Sequence, residues 1–168
     1  NYKKGNLNAS LLFLNNGIQD SEETGEEVSY TTRYGQTFGG TATYQLNPFT
    51  LNGSVYKQTG KVTGNKKLDA INLALNAKWA INKKWSFTPG FEYLSGTSQA
   101  DAATPGFSEN NSFNPLYGTN HKFNGFMDYY YVGNHLNSVG LQNIYFKAGY
   151  SKNKFSAGAD LHLFSAAA

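Results

Sequence analysis

The sequence predicts an all-β chain, a transmembrane antiparallel up-and-down β-barrel. Three observations predict it. Apolar residues recur at every second position over most of the chain, short turns alternate with long polar connections, and aromatic residues flank the turns. Composition agrees. Of 168 residues only 39% are apolar and 15% are charged, 15% are aromatic, and the formal net charge is +3. A disordered chain has few aromatics and high net charge, and a conventional soluble core is richer in Leu, Ile and Val. No apolar run approaches the length of a membrane-spanning helix, but a barrel strand needs only alternate residues to be apolar.

The first strand, about residues 5–15, alternates Leu7, Ala9, Leu11 and Phe13 with Asn8 and Ser10, although Leu12 and Leu14 intrude. A polar connection over 16–27 follows, and it carries five of the eleven acidic residues as Asp20, Glu22, Glu23, Glu26 and Glu27. That run lacks EF-hand spacing and reads as a solvated loop tip. Next, Tyr30, Tyr34, Phe38, Ala42 and Tyr44 share one parity opposite Thr31, Arg33, Thr37, Thr41 and Thr43. A turn at 45–48 leads into Leu51, Gly53 and Val55 against Asn52, Ser54, Tyr56 and Gln58.

After a connection at 59–68, Ile71, Leu73, Leu75, Ala77 and Trp79 alternate with Asn72, Asn76 and Lys78. The turn at 81–84 joins them to Trp85, Phe87, Phe91 and Tyr93, set against Ser86, Thr88, Gly90 and Glu92. Pro89 falls on the apolar parity and marks a bulge or a ladder gap. The last hairpin alternates Ile144, Phe146, Ala148 and Tyr150 with Asn143, Tyr145 and Lys147, turns at 151–154, and continues through Phe155, Ala157, Ala159, Leu161 and Leu163 against Asp160 and His162. The count is about seven strands of roughly nine to seventeen residues. A tilted strand spans a bilayer in about 9–11 residues, whereas sandwich strands average about five to six. A soluble sandwich remains the other all-β reading, and it predicts extraction without detergent.

Tyr44, Phe49, Trp79, Trp85 and Phe155 flank the short turns, and Tyr30, Tyr34 and Tyr93 lie toward the long connections, as two interfacial girdles do. The chain therefore reads as a single barrel domain or a fragment of one, with residues 95–139 as an extracellular or pore-folded loop. Seven strands leave the even count of a bacterial barrel unmet, so either 126–132 supplies an eighth strand or the chain belongs to a larger barrel. The chain opens on Asn1 in mid-pattern, and an exported precursor carries a signal peptide, so the expectation is a processed or trimmed N-terminus.

Chemistry is confined to the polar parity. Arg33, Lys78 and Lys147 are its basic candidates, Glu92 and Asp160 its acidic ones, and His162 is titratable. Together with hydroxyls and amides they predict a wetted wall that hydrogen-bonds sugar hydroxyls and attracts anionic solutes, or merely solvates the interior. The absence of cysteine removes disulfides and thiolate chemistry, and no G-x-S-x-G elbow or ligand-spaced histidines are present. The expectation is no enzyme, no metal, no cofactor and no nucleic-acid partner.

The segment from Phe113 to Asp128 mixes aromatics with His121 and Lys122, and reads as a constriction, a solute-binding loop or a short extra hairpin. From Phe113 to Tyr131 it resembles the alginate-export porin family in Bacteroidetes-type sequences. In these, F-N-x-L-Y-G-T-N-H-K-F-N-G precedes an M-D-Y stretch; the likeness continues loosely through Gly133-Asn134-His135 and 138–141. The string covers about an eighth of the chain. The resemblance implies a bacterial outer-membrane barrel that passes an anionic polysaccharide or oligosaccharide passively. Its surroundings would be outer-membrane lipid, lipopolysaccharide and other envelope proteins. The other class of reading is a structural or docking barrel of an envelope assembly with no open pore.

Overall fold

Two-residue connections and antiparallel ladders organise the chain. A computed structural model describes residues 1–24, 27–117 and 138–168, with backbone only at 22–24 and 27. Its strands are β1 (Tyr2–Lys4), β2 (Leu7–Thr24), β3 (Glu27–Leu46), β4 (Phe49–Lys61), β5 (Lys67–Ala80), β6 (Trp85–Leu94), β7 (Glu109–Asn110), β8 (Leu141–Lys152) and β9 (Phe155–Ser165). A 3-10 turn at Thr63–Asn65 and one short helix, α1 (Gln99–Ala103), complete the elements. The sheet runs β1-β2-β3-β4-β5-β6-β8-β9 with each neighbour antiparallel, and β7 adds parallel to the start of β5. All-β, up-and-down architecture is therefore present, as an open sheet whose edges are β1 and β9.

Two sequence-based boundaries need correction. Most of 16–27 is strand, because the β2–β3 ladder pairs without interruption from Leu7↔Tyr44 to Thr24↔Glu27. In 59–68, both ends are strand and only the 3-10 turn intervenes. At about 3.3 Å per residue, an 18-residue β2 extends close to 60 Å, well past a membrane's apolar thickness of about 30 Å. Its far end and that of β3 have polar residues on both faces; Gln36 Nε2 donates to Asn15 Oδ1 at 2.7 Å there. Pro89 produces a gap and no bulge. Ladder partners are missing between Asn76↔Gly90 and Trp79↔Phe87, yet the register on either side is the same.

Alternation divides the sheet into two faces. The apolar face exposes Leu11 (92%), Phe13 (70%), Leu75 (63%), Leu161 (63%) and Leu163 (62%) among many others. Aromatic pairs border it at the short-turn end. Phe49 stacks with Trp79 at 5.9 Å, Trp85 meets Tyr150 at 4.7 Å, and Tyr150 meets Phe155 at 6.2 Å. The polar face carries cross-strand hydrogen bonds, including a ladder from Thr43 Oγ1 to Asn52 Oδ1 (2.8 Å) and from Asn52 Nδ2 to Asn76 Oδ1 (2.8 Å). Tyr56 lies over Gly39 and Tyr145 over Gly90, where a Cβ would stand 2.7 Å and 2.1 Å from ring atoms. Those glycines make room for rings on a face that otherwise has short side chains.

The buried core is small and lies on the polar face. Leu68, Ala70, Leu94 and Leu141 share its parity at the long-connection end, and Phe113, from the segment after β7, closes over them. Apolar side chains of that parity need a cover to leave water, and the chain supplies one.

Candidate functional site

The site is the polar face together with the segment that crosses it. Residues 95–117 leave β6, turn through α1 and β7, and run back across the sheet. Three anchors hold them. At the β5–β6 end, Ser95 Oγ donates to Asn111 O (2.6 Å) and accepts from Ile71 N (2.8 Å), while Phe113 N donates to Ser95 O (3.0 Å). At β4, the Gln58 amide reads the Asn114 backbone twice. Gln58 Nε2 donates to Asn114 O at 2.7 Å and Asn114 N donates to Gln58 Oε1 at 2.9 Å. At β2, Tyr117 Oη donates to Asn16 Oδ1. The segment thus spans from β6 to β2 over the polar face.

Gln58 is 1% exposed, and its Nε2 also donates to Thr37 Oγ1 at 3.1 Å, so both ends of the amide are satisfied. Beneath the crossing segment lies a cavity of about 460 Å³, lined by Leu12, Leu14, Tyr56, Glu92, Phe113 and Leu116 among others. Leu12 and Leu14, which broke the alternation of the first strand, line this cavity. The crossing segment half-buries Leu14, while Leu12 stays 47% exposed at the cavity's edge.

The candidate residues fall into separate groups. Lys147, Asp160, His162 and Glu92 share one wall across β6, β8 and β9. Lys147 Nζ is 3.0 Å from Asp160 Oδ2, and the two are cross-strand partners. His162 Nδ1 lies 3.0 Å from Asn143 Oδ1, and its ring stacks between Tyr145 (5.6 Å) and Phe164 (5.4 Å), with Nε2 buried and unpartnered among the described residues. Glu92 pairs across the ladder with Asn143, which is 1% exposed and also faces His162.

Arg33 stands apart, toward the far end of β3. Its Nε is 3.0 Å from Asp20 Oδ2 and its Nη1 donates to Asn65 Oδ1 at 3.0 Å. Gly64 N donates to the same Asp20 oxygen at 2.8 Å, so the pair holds the 3-10 turn against β2 and β3. The Arg33 guanidinium, followed by the Gly64 amide, keeps the Asp20 carboxyl below its ordinary range. Lys78 lies on the polar parity at the opposite end, exposed beside the short turns. His121 and Lys122 lie outside the described residues.

Three of the six described candidates are thus in ion pairs or paired with acids: Arg33 with Asp20, and Lys147 with Asp160. A paired cation projects less field into a solute path than a free one. Sequence reasoning missed Gln58, Asn143 and Ser95, whose amides and hydroxyl look like ordinary wall residues. The signal that could have found them is the set of wrong-parity apolar residues at 12, 14, 68, 94 and 141, which requires a cover and hence polar groups to hold it. Among the described residues no group of three or more metal-ligating side chains converges, and no helix is long and apolar enough to cross a membrane. No family model, curated protein or solved structure matches this chain.

Proposed function

We propose that this chain forms, or forms part of, a bacterial outer-membrane β-barrel that passes polar or anionic saccharide-like solutes, in the manner of alginate-export porins. The observation that carries the reading is the two-faced sheet. Exposed Leu, Phe, Trp and Tyr cover one side, and hydroxyls, amides and paired charges cover the other. Such an apolar face has no place in water without a partner. The eight strands of the main path alternate in direction, so the edge strands β1 and β9 run oppositely and meet antiparallel on closure.

Selection is steric first. The segment 95–117, anchored through Gln58–Asn114 and Ser95–Asn111, narrows the path over the polar face. Amides of Asn52 and Asn76 and the Lys147–Asp160 pair then offer donors and acceptors to hydroxylated solutes, and Lys78 supplies an unpaired charge at the entrance among the described residues. Planar-bilayer recording of the full-length protein tests this: ion current with a preference for anions is expected, and silence overturns it.

The same crossing segment favours a second reading, a docking barrel whose pore is plugged. Silence in the bilayer, with detergent-dependent extraction retained, is the outcome that selects it.

A further inference from the structure

We propose that the short-turn rim of the sheet is a seat for anionic phospholipid headgroups. The inference rests on the membrane reading above. Lys3, Lys4, Lys83, Lys84, Lys152 and Lys154 are all exposed at this end, beside the turns that join β1 to β2, β5 to β6 and β8 to β9. None of them makes an ion pair among the described residues.

Among the described residues no acid lies at the rim. The described acids lie elsewhere: Asp20 binds Arg33, Asp69 and Glu109 pair with lysines at the far end of β5, Asp101 is in α1, and Glu92 and Asp160 lie on the polar wall. A rim of one sign concentrates an opposite surface charge against it.

The lysines are presented by a fixed ledge. Asn82 Oδ1 accepts from Lys84 N (2.8 Å) and Trp85 N (3.0 Å), which sets the 81–84 turn. Ser151 N donates to Lys84 O at 2.8 Å and ties that turn to its neighbour, so Lys83, Lys84, Lys152 and Lys154 share one edge. Directly above them stand Trp79, Trp85, Tyr150 and Phe155, the ring types that occupy the headgroup level of a bilayer. Lysines one step beyond such a belt reach lipid phosphates with their ammonium groups while their stems stay apolar. Arg33, the lone arginine, is at the other end, so the rim recognises charge and not a bidentate partner. That suits a fluid lipid surface better than a fixed protein epitope.

Trp79 and Trp85 are the two tryptophans of the chain, and both sit at this rim. They report the lipids beside it. The full-length protein is reconstituted in phosphatidylcholine vesicles containing equal fractions of brominated phosphatidylglycerol or brominated phosphatidylcholine, and tryptophan quenching is read. A preference for the anionic lipid of about fivefold is expected, the effect of one lysine near a charged surface. It is lost at high salt and in Lys83→Gln/Lys84→Gln/Lys152→Gln/Lys154→Gln, whose exposed positions leave the fold intact. Equal quenching by the two lipids overturns the seat and leaves the membrane reading standing. A preference unchanged in the quadruple variant also overturns it. No quenching by either lipid removes the membrane reading and the seat together.

Discussion

The Gln58 side chain holds the Asn114 peptide from both sides, accepting from its N–H at 2.9 Å and donating to its C=O at 2.7 Å. Residues 56 positions apart in the chain are joined by a contact with the geometry of a sheet ladder, made by a side chain in place of a strand. Gln58 is fully enclosed, so loss of its amide leaves the Asn114 groups without partners as well. Gln58→Ala is expected to weaken docking of the crossing segment by about 1–3 kcal/mol, the cost of unsatisfied buried polar groups. Faster amide hydrogen exchange over 95–117, with protection of β3–β5 unchanged, is the measurement. In a bilayer the same variant should conduct more than the parent.

Phe113 anchors the same segment by burial. It is 6% exposed against Leu68, Ala70, Leu94 and Leu141. Phe113→Ala is expected to cost about 3–5 kcal/mol at a well-packed site, with collapse of the surrounding side chains into the space lowering that figure. The sheet's own ladders do not depend on this ring. Thermal unfolding in detergent should therefore change little, while protease cleavage within 95–117 should rise steeply.

Most of the strand pattern was legible because period-two alternation is a local property. Leu73, Leu75, Ala77 and Trp79 announce β5 without knowledge of any neighbour. The long reach of β2 and β3 was not legible, since Asn15, Gln36 and the acidic run look like a loop when pairing is invisible. Their order comes from register, which ties Leu7 to Tyr44 and carries the ladder outward. Leu12 and Leu14 looked like noise for the related reason that their partners, Phe113 and Leu116, lie a hundred residues away. Of the candidate charges, the sequence put Arg33, Lys147 and Asp160 on the polar parity. It could not say that Arg33 faces Asp20 or that Lys147 faces Asp160, because both pairings are set by strand register.

The Arg33–Asp20 pair makes the β2–β3 end sensitive to acid. The Asp20 carboxyl is held below its ordinary value of 3.8, first by the Arg33 hydrogen bond and then by the Gly64 amide. A carboxyl lowered in the folded state contributes stability that is fully present above the unfolded value and lost as pH falls through the folded one. The 3-10 turn at Thr63–Asn65 should therefore stay docked from neutral pH down to about 4 and loosen below that. Asp20→Asn should loosen it at every pH and abolish the transition. Hydrogen exchange at Gly64 N, whose proton goes to Asp20, reads both outcomes.

Gly90 tests the geometry of the wall. A Cβ there would stand 2.1 Å from the Tyr145 ring, which in turn stacks on His162 at 5.6 Å. Gly90→Val is expected to displace the ring at a cost of about 1–3 kcal/mol, the usual penalty of overpacking. Lower thermal stability in detergent, with the secondary structure retained, is the expected result. An unchanged melting temperature means that Tyr145 does not lie over Gly90.

Lys78 and Asp160 should move ion selectivity in opposite directions. Lys78 is exposed at the rim of the polar face without an ion pair among the described residues, so no neighbouring acid offsets its charge. Lys78→Glu reverses that charge and should shift the reversal potential in a salt gradient toward cation preference. Asp160, by contrast, neutralises Lys147 at 3.0 Å. Asp160→Asn removes the acid and leaves the ammonium free, so the shift should be toward anions. Both effects should shrink as ionic strength rises, because the Debye length falls from about 10 Å at 0.1 M to about 3 Å at 1 M. Shifts of the same sign in the two variants, or none in either, would remove the polar face from the conduction path.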